Sequence, residues 1–372
     1  MKYYIIAGEA SGDLHGSNLI KALFDVDPKA QIRCWGGDLM QEAGGDLVKH
    51  YKEMAFMGFI EVLLNLNAIF KNIKYCKQDI TTFKPDVLVF IDYSGFNLRI
   101  AKWAKEKGVR TNYYISPQIW ASREGRIEKI KRDIDAMYVI LPFEKEFYEK
   151  KHDFPVHFVG HPLLDAISNR ASLNELNFRN EYHIDPSKPI IALLPGSRKQ
   201  EVQKMLSVMI SITPDFPDYE FVIAGAPSLD KDFYTTFLNG KNVKYIQSKT
   251  YDLLSISKAA LVTSGTATLE TALFKVPQVV CYKANCISYQ IAKRIITLDY
   301  ISLVNLIMKK EVVKELIQDD LTKDKLTKEL KLVLLGEQRE MQLKAYEQLT
   351  SKLGGSGASK KAATLIMEYA KS

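Results

Sequence analysis

In the second half of the sequence, an apolar run is followed closely by residues whose types suit the binding of a phosphate group. Residues 190–194 are continuously apolar, and Gly196, Ser197 and Arg198 follow them closely. A glycine permits a tight turn, a serine can cap the next helix, and an arginine presents a permanently charged fork to phosphate oxygens. The stretch predicts an anion site, and a β-turn with a solvated arginine is an equal alternative.

A second stretch repeats this pattern further along the chain. Ser264, Gly265 and Thr266 follow the strand-like run 259–263 and begin a predicted helix. Backbone N–H groups at a helix start can bind a pyrophosphate without charged side chains. Glu270, one turn into that helix, could accept hydrogen bonds from both ribose hydroxyls of a nucleotide, although helix capping is the simpler alternative. With Arg198, these residues predict a site for a nucleotide diphosphate.

The loop after the first apolar run carries Glu9, Ser11, Asp13 and His15 among small residues. It does not match the dinucleotide fingerprint, and its carboxylates would repel a bound pyrophosphate. Helix capping accounts for Ser11, but it accounts poorly for Glu9 and His15. Because polar groups at the carboxyl end of a strand often line a site, we expect them to contact a substrate.

Asp92 follows five apolar residues at the end of the run 87–91. Partial burial would raise the pKa of this carboxyl toward that of a useful general base, but a structural helix cap is slightly favoured locally. Gln118 and Trp120 follow a Ser-Pro step and suit stacking on a sugar, although a core tryptophan is more common. The basic residues between 123 and 132 are typical of a solvated helix face.

Composition restricts the classes of protein that fit. The chain has 372 residues, 47% hydrophobic, and a formal net charge of +7, which suits phosphorylated ligands or an anionic membrane. No nucleic-acid-binding motif is found, so no nucleic-acid partner is expected. The four cysteines form no CxxC pair and are expected to be free thiols. A strand-like run begins at Lys2 and no apolar run could span a bilayer, which predicts a cytoplasmic protein.

The elements that must position these residues form two similar series. Strand-like runs alternate with helical patterns between residues 3 and 159, and again between 190 and 282, which predicts an α/β protein with two Rossmann-like, doubly wound domains facing across a cleft. We expect an N-terminal domain, 1–165, and a second domain, 166–352. A glycine-rich hinge at 353–359 lets the final helix, 358–372, complete the first domain or exchange between two subunits of a homodimer.

Taken in order, these motifs resemble the lipid-A-disaccharide synthase family, glycosyltransferases of the GT-B type (family 19). The resemblance covers nearly the whole chain, and its blocks lie at 7–16, 57–63, 116–121, 159–163, 194–198, 264–270 and 301–306. It implies inverting transfer of a 2,3-diacylglucosamine from UDP-2,3-diacylglucosamine to the 6-hydroxyl of 2,3-diacylglucosamine 1-phosphate. UDP is released, and neither a cofactor nor a metal ion is required.

The resemblance also implies roles for individual residues. Asp92 is the candidate base, Arg198 binds the diphosphate, Glu270 binds the ribose, and Asn305 lies near the uracil or a phosphate. Glu9 and Ser11 line the acceptor side, with Glu9 among the candidate catalytic residues, and His15, Gln118, Gly196, Ser197, Ser264, Gly265 and Thr266 complete the candidate substrate site. Two departures from the family pattern occur: residues 93–95 are Tyr-Ser-Gly where Ala-Pro-Asp is more usual, and Val304 replaces a proline.

An apolar segment followed by lysines is a candidate for contact with acyl chains and an anionic membrane surface. Its candidate residues are Phe56, Met57, Phe59, Leu63 and Leu64. A helix of this composition can enter one leaflet or cover a sheet, and the resemblance favours peripheral association with the cytoplasmic face of the inner membrane.

Two alternatives to the transferase function remain: another GT-B UDP-sugar enzyme such as a UDP-N-acetylglucosamine 2-epimerase, and a non-catalytic nucleotide-sugar-binding protein at the membrane.

Overall fold

The computed structural model describes residues 1–54, 66–168, 170–238, 240–285 and 298–371. The chain divides into two compact units. The first unit contains Met1–Asn169 together with Leu353–Ser372, and the second contains Arg170–Lys352. Each unit has its own parallel sheet with helices packed against it, which confirms the predicted α/β class.

The first unit is built on a seven-stranded sheet with the order β3-β2-β1-β4-β5-β6-β7. Its strands are β1 (Lys2–Ala7), β2 (Gln31–Gly36), β3 (Asp46–His50), β4 (Val87–Ile91), β5 (Arg110–Tyr114), β6 (Ala136–Val139) and β7 (His157–Phe158). Its helices are α1 (Ala10–Val26), α2 (Asp38–Glu42), α3 (Leu66–Phe83), α4 (Ser94–Glu106), α5 (Ile127–Asp133), α6 (Pro142–Glu146), α7 (Leu163–Ser168) and, from the end of the chain, α16 (Ala358–Lys371).

The second unit is built on a six-stranded sheet with the order β10-β9-β8-β11-β12-β13. Its strands are β8 (Ile190–Leu194), β9 (Glu220–Gly225), β10 (Val243–Gln247), β11 (Ser257–Thr263), β12 (Gln278–Tyr282) and β13 (Lys314–Ile317). Its helices are α8 (Glu175–Glu181), α9 (Lys199–Ser211), α10 (Lys231–Leu238), α11 (Thr250–Ser255), α12 (Thr266–Leu273), α13 (Leu303–Met308), α14 (Lys323–Leu334) and α15 (Glu337–Lys352).

In both sheets the strand order reverses between two neighbouring strands. The reversal lies between β1 and β4 in the first unit, where Ala7 pairs with Ile91, and between β8 and β11 in the second, where Leu194 pairs with Val262. All four strands are buried along nearly their whole length, since each lies in the middle of its sheet. Ligands bind outside the carboxyl ends of the strands at such a reversal, so these ends locate the candidate site in each unit.

The last helix, α16, packs against α1 and α7 within the first unit. The buried carboxylate of Asp165 accepts hydrogen bonds from the backbone N–H groups of Gly357 and Ser359, at the start of this helix. The chain enters the unit at Leu353, whose carbonyl accepts a hydrogen bond from the N–H of His161 at 3.0 Å. A carboxylate that satisfies the first N–H groups of a helix is a favourable cap, so Asp165 attaches the last helix to the first sheet.

Candidate active site

The candidate residues of the first unit follow the two central strands of its sheet. Glu9 comes two residues after β1 and Asp92 comes directly after β4. Gly8, which precedes Glu9, lies so close to the ring of Tyr93, the residue after Asp92, that a methyl group at Gly8 would overlap this ring. Close packing at Gly8 therefore depends on the absence of a side chain.

Asp92 lies in a strained stretch of backbone. Its φ angle is 42° and that of Tyr93 is 46°, both in the left-handed region that residues other than glycine rarely occupy. The Asn97 side chain donates a 2.8 Å hydrogen bond to the carbonyl of Asp92, and the Tyr113 hydroxyl donates another to the same oxygen. Strained backbone held by surrounding contacts is frequent where a side chain needs a fixed position in a functional site.

The carboxyl of Asp92 is tuned toward general-base chemistry. Burial raises its pKa to about 6, the negative charge of Glu9 acts in the same direction, and the backbone N–H of Tyr93 opposes both. A carboxylate with a pKa near 6 is mostly ionised at neutral pH and is a stronger base than an ordinary aspartate. The slightly favoured alternative, a helix-capping Asp92, does not apply, because Tyr93 occupies the N-cap position of α4.

The loop after β1 uses its polar residues differently from the sequence prediction. Glu9, and not Ser11, is the N-cap residue of α1, and Ser11 is an exposed residue of the first turn. Asp13 is buried and accepts hydrogen bonds from the N–H groups of Gly37 at 2.8 Å and Met40 at 3.0 Å. Asp13 therefore holds the start of α2, while Glu9 and Ser11 stay near the carboxyl end of the sheet.

His15, unlike Glu9 and Ser11, is buried. Only 5% of the residue is exposed, and its ring lies edge-on to that of His161, with 6.4 Å between the ring centroids. Burial lowers the pKa of His15 to about 4, so the ring is neutral at neutral pH. The predicted contact between His15 and a substrate is not supported, because this side chain is buried against His161 within the first unit.

A buried carboxylate that was not predicted from the sequence, Glu144, holds the segment after β5 in place. Glu144 accepts hydrogen bonds from the Ser116 hydroxyl at 2.7 Å and the Trp120 indole N–H at 3.1 Å. Burial raises the pKa of Glu144, and these hydrogen bonds oppose the shift. Trp120 is half-buried and meets the edge of the Phe143 ring, whereas Gln118 is exposed. Of the two predicted sugar contacts, Gln118 is the more accessible.

In the second unit, the loop after β8 has the expected tight turn. Gly196 has a φ angle of 106°, and a Cβ atom there would lie 2.8 Å from Oε2 of Glu201. Arg198 is the N-cap residue of α9, a position that the sequence predicted for Ser197. The Arg198 side chain is largely exposed, and its Nη1 lies 3.2 Å from Oε1 of Glu201. The N–H groups at the start of α9 and the exposed guanidinium of Arg198 thus lie at the same strand end.

The loop after β11 provides a second helix N-terminus at the neighbouring strand end. Gly265 is the N-cap residue of α12, and Gly265 and Thr266 are both exposed. The Ser264 hydroxyl donates a 2.8 Å hydrogen bond to the carbonyl of Ile301, which fixes one side of the loop. The first N–H groups of α12 have no partner within the helix, so an anion can accept hydrogen bonds from them.

Glu270 lies one turn into α12 and is paired with a tyrosine. The Tyr251 hydroxyl donates a 2.9 Å hydrogen bond to Oε1 of Glu270. Burial raises the pKa of Glu270, and this hydrogen bond opposes the shift. Tyr251 was missed by the sequence analysis, since α11 carries no recognisable motif. The bond orients Glu270 and leaves acceptor capacity for a ribose hydroxyl.

Asn305 has a structural role in place of the predicted ligand contact. It is fully buried, and its side-chain oxygen accepts hydrogen bonds from the N–H groups of Val312 and Val313. Its Nδ2 donates to the carbonyl of Val313 and to Glu315, both at 2.9 Å. Because these bonds use the hydrogen-bonding capacity of the amide, Asn305 connects α13 to β13 and is not available to uracil or phosphate.

The predicted acyl-chain residues Phe56, Met57, Phe59, Leu63 and Leu64 lie outside the described residues. The helix that follows them, α3, exposes 60% of Phe70 and 45% of Tyr75. Across the described ranges, no helix combines the length and the hydropathy required to cross a bilayer.

The two units, each a parallel sheet with a strand reversal, define the GT-B fold. A solved structure that matches over 99% of this chain and 100% of its own is a UDP-GlcNAc 2-epimerase from Neisseria meningitidis bound to UDP-GlcNAc, with a TM-score of 0.71 and 12% sequence identity. At this identity the likeness establishes the fold alone.

Sequence relatives identify the family. The lipid-A-disaccharide synthetase family matches residues 3–369. The lipid-A-disaccharide synthase of Geobacter metallireducens is 39% identical over 371 residues, covering 98% of this chain and 96% of the relative. That of Coxiella burnetii is 41% identical over 320 residues, covering 85% and 84%. The chain therefore belongs to the lipid-A-disaccharide synthase family of glycosyltransferases, which confirms the resemblance.

Proposed function

We propose that this glycosyltransferase moves the 2,3-diacylglucosamine of UDP-2,3-diacylglucosamine to the 6-hydroxyl of 2,3-diacylglucosamine 1-phosphate. Inversion at the sugar carbon yields the lipid A disaccharide 1-phosphate and UDP. Family membership supports the pair of substrates. The observation that carries the chemistry is Asp92, a strained and half-buried carboxylate with a pKa of about 6 at the strand reversal of the first unit.

In the acceptor half of the proposed reaction, Asp92 takes the proton of the 6-hydroxyl. An inverting displacement needs a base that removes this proton as the new glycosidic bond forms and the bond to UDP breaks. The bonds to the carbonyl of Asp92 from Asn97 and Tyr113 hold the backbone in place, so the carboxylate needs little reorganisation. Glu9 keeps the pKa of Asp92 raised and, with Ser11, contacts the acceptor sugar.

In the donor half, the second unit stabilises the departing UDP. Arg198 and the N-terminal ends of α9 and α12 place positive charge and N–H groups at neighbouring strand ends. Negative charge on the leaving diphosphate grows as the glycosidic bond breaks, so these groups favour the transition state over the bound donor. Glu270, oriented by Tyr251, accepts a hydrogen bond from a ribose hydroxyl.

The substrates carry acyl chains, so we propose that the enzyme works at the cytoplasmic face of the inner membrane. The lysines of α3 and the net charge of +7 favour anionic headgroups. The exposed Phe70 supports an apolar contact at the same helix, and residues 56–64 are proposed to extend it.

The reaction is tested by incubating the protein in detergent with both substrates and measuring UDP and disaccharide. We expect Asp92→Asn to lower kcat by roughly 10²–10⁴-fold, because the amide cannot accept the proton, while the KM for the UDP-sugar changes little. The control is Asp25→Asn, which removes an exposed carboxylate of the same unit.

Three results would count against the proposal. Absence of disaccharide with the wild-type protein would refute the transferase assignment. Full activity of Asp92→Asn would refute the role of the base. Interconversion of UDP-N-acetylglucosamine with its C2 epimer, in the absence of any lipid, would favour the epimerase.

A further inference from the structure

Three arginines of the first unit have no role in the mechanism above. Arg99 lies on α4, Arg123 and Arg126 lie in the turn before α5, and these two helices pack against each other. Nη1 of Arg126 donates a 3.0 Å hydrogen bond to the hydroxyl of Ser94, the first residue of α4. The packing therefore places the guanidinium of Arg126 at the N-terminal end of α4.

The positive charge of this group is not balanced. Among the residues that the structure describes, none of the three arginines has a carboxylate within ion-pair distance. The nearest acid in sequence, Glu124, is engaged by Lys151 at 2.7 Å and His152 at 2.9 Å. Burial and the charges of Arg123 and Arg99 lower the pKa of Arg126, so its guanidinium carries a cost that a bound anion would remove.

The same end of α4 offers further groups to an anion. The N-cap residue Tyr93 makes no side-chain capping bond, and the second helical residue, Gly95, is exposed with no atom within 4 Å of where its Cβ would lie. The positive end of this 13-residue helix and the guanidinium of Arg126 thus meet at Ser94. A phosphate bound there can accept hydrogen bonds from both.

This position adjoins the candidate base. Ser94 follows Asp92 by two residues, and the Tyr113 hydroxyl, which donates to the carbonyl of Asp92, is within electrostatic reach of Arg126. In a glucosamine 1-phosphate, the phosphate-bearing C1 and the C5 that carries the hydroxymethyl group (C6 and its 6-hydroxyl) are both bonded to the ring oxygen. A phosphate site close to the base therefore suits the shape of this acceptor.

We propose that Arg126, assisted by Arg123, Arg99 and the N-terminus of α4, binds the 1-phosphate of the lipid acceptor and thereby places its 6-hydroxyl at Asp92. This inference rests on the proposed function and adds to it a determinant of acceptor specificity. A planar guanidinium can donate hydrogen bonds to two phosphate oxygens at once, which fixes the orientation of the phosphate and compensates its negative charge.

The experiment compares two acceptors, 2,3-diacylglucosamine 1-phosphate and the same lipid without its phosphate, in detergent. We expect Arg126→Gln to lower kcat/KM for the phosphorylated acceptor by roughly 10–100-fold, with little change for the other acceptor or for the KM of the UDP-sugar. Arg126→Lys keeps the positive charge but lacks the planar guanidinium that can donate two parallel hydrogen bonds, so its loss should be smaller than that of Arg126→Gln. The control is Lys131→Gln, which removes one exposed charge from α5.

Arg123→Gln gives a second test at an exposed position, where folding is not at risk. We expect a smaller loss, again confined to the phosphorylated acceptor. Equal losses with both acceptors, or no loss with either, would overturn the inference. The inference would also be overturned if the arginine variants kept the wild-type preference for the phosphorylated acceptor in detergent but bound vesicles containing phosphatidylglycerol less well. In that case the arginines would bind membrane headgroups. If the wild-type protein forms no disaccharide, the proposed function fails; if it does and the preference is unchanged in the variants, only this inference fails.

Discussion

At the scale of single residues, the carboxylates at the first strand reversal influence each other. Asp92 is half-buried, and the negative charge of Glu9 adds to the effect of burial on its pKa. A like charge nearby disfavours ionisation, which makes the remaining carboxylate more basic. Glu9 can therefore affect catalysis through Asp92, in addition to its proposed contact with the acceptor.

This interaction predicts a pH dependence. Because the base works in its ionised form, activity should be lost as the pH falls through the pKa of Asp92, about 6. Glu9→Gln removes one of the three causes that raise this pKa, the others being burial and the charge of Glu144. We expect the acidic limb of the kcat/KM profile to move to lower pH, while burial still keeps it above the ordinary value of an aspartate.

The measurement is kcat/KM as a function of pH for the wild type, Glu9→Gln and the control Asp25→Asn. The position of the limb does not depend on how much activity the variant retains, so a direct role of Glu9 in binding does not obscure the result. A limb that stays in place in Glu9→Gln would show that the charge of Glu9 does not act on the base.

At the scale of elements, the strands that carry the site were predictable, whereas three other strands were not. The predicted runs 87–91 and 190–194 match β4 and β8, because a strand buried on both faces is continuously apolar. Three strands, β2, β3 and β13, were not predicted from the sequence. Two of these, β3 and β13, are edge strands of mixed polarity, whose pattern resembles that of a loop.

The roles of individual polar residues were harder to predict, since they depend on tertiary contacts. Whether a helix begins at residue 198 or 199 decides whether Ser197 or Arg198 is the N-cap, and local propensity favours serine. The buried amide of Asn305 could not be distinguished from a ligand contact, because its partners lie in β13 and the turn before it. The position of Asp92 and the rise of its pKa on burial were predictable because their signal, a carboxylate directly after an apolar strand, is local.

The packing of α4 against the loop after β1 gives a prediction for Gly8. Gly8→Ala places a methyl group where the ring of Tyr93 lies, so the ring and the start of α4 must move. We expect a loss of about 1–3 kcal/mol in the free energy of unfolding, as for other overpacked sites, and reduced activity because Asp92 precedes Tyr93. Chemical denaturation measures the first effect and the disaccharide assay the second.

The matched control for this prediction is Gly125→Ala, since no atom lies within 4 Å of the position that its methyl group would take. It should leave the free energy of unfolding almost unchanged. If the two variants were equally stable, close contact between Gly8 and Tyr93 would not contribute to the position of α4.

At the scale of the whole molecule, the chain crosses from one unit to the other twice, near residue 170 and again near residue 352. Each unit has hydrophobic clusters of its own around its sheet. The final helix belongs to the first unit, where it packs against α1, the helix whose N-cap residue is Glu9. The last residues of the chain therefore support the element that follows the first strand of the acceptor half.

Asp165 is the residue through which this support can be tested. Asp165→Ala leaves the N–H groups of Gly357 and Ser359 without their acceptor at a buried helix start, which should cost about 2–4 kcal/mol in the free energy of unfolding. Because each unit has its own core, the loss should be confined to the first unit. Hydrogen exchange measured by mass spectrometry should then increase in α16 and α1 and stay unchanged in β8, β11 and α12.

Gln342→Ala is the reciprocal control, since the Gln342 side chain forms hydrogen bonds with the backbone of Gln278 within the second unit. This variant should raise the rate of hydrogen exchange in the second unit alone. Faster exchange in both units of Asp165→Ala would mean that the two units unfold together, and the last helix would then stabilise the donor half as well as the acceptor half.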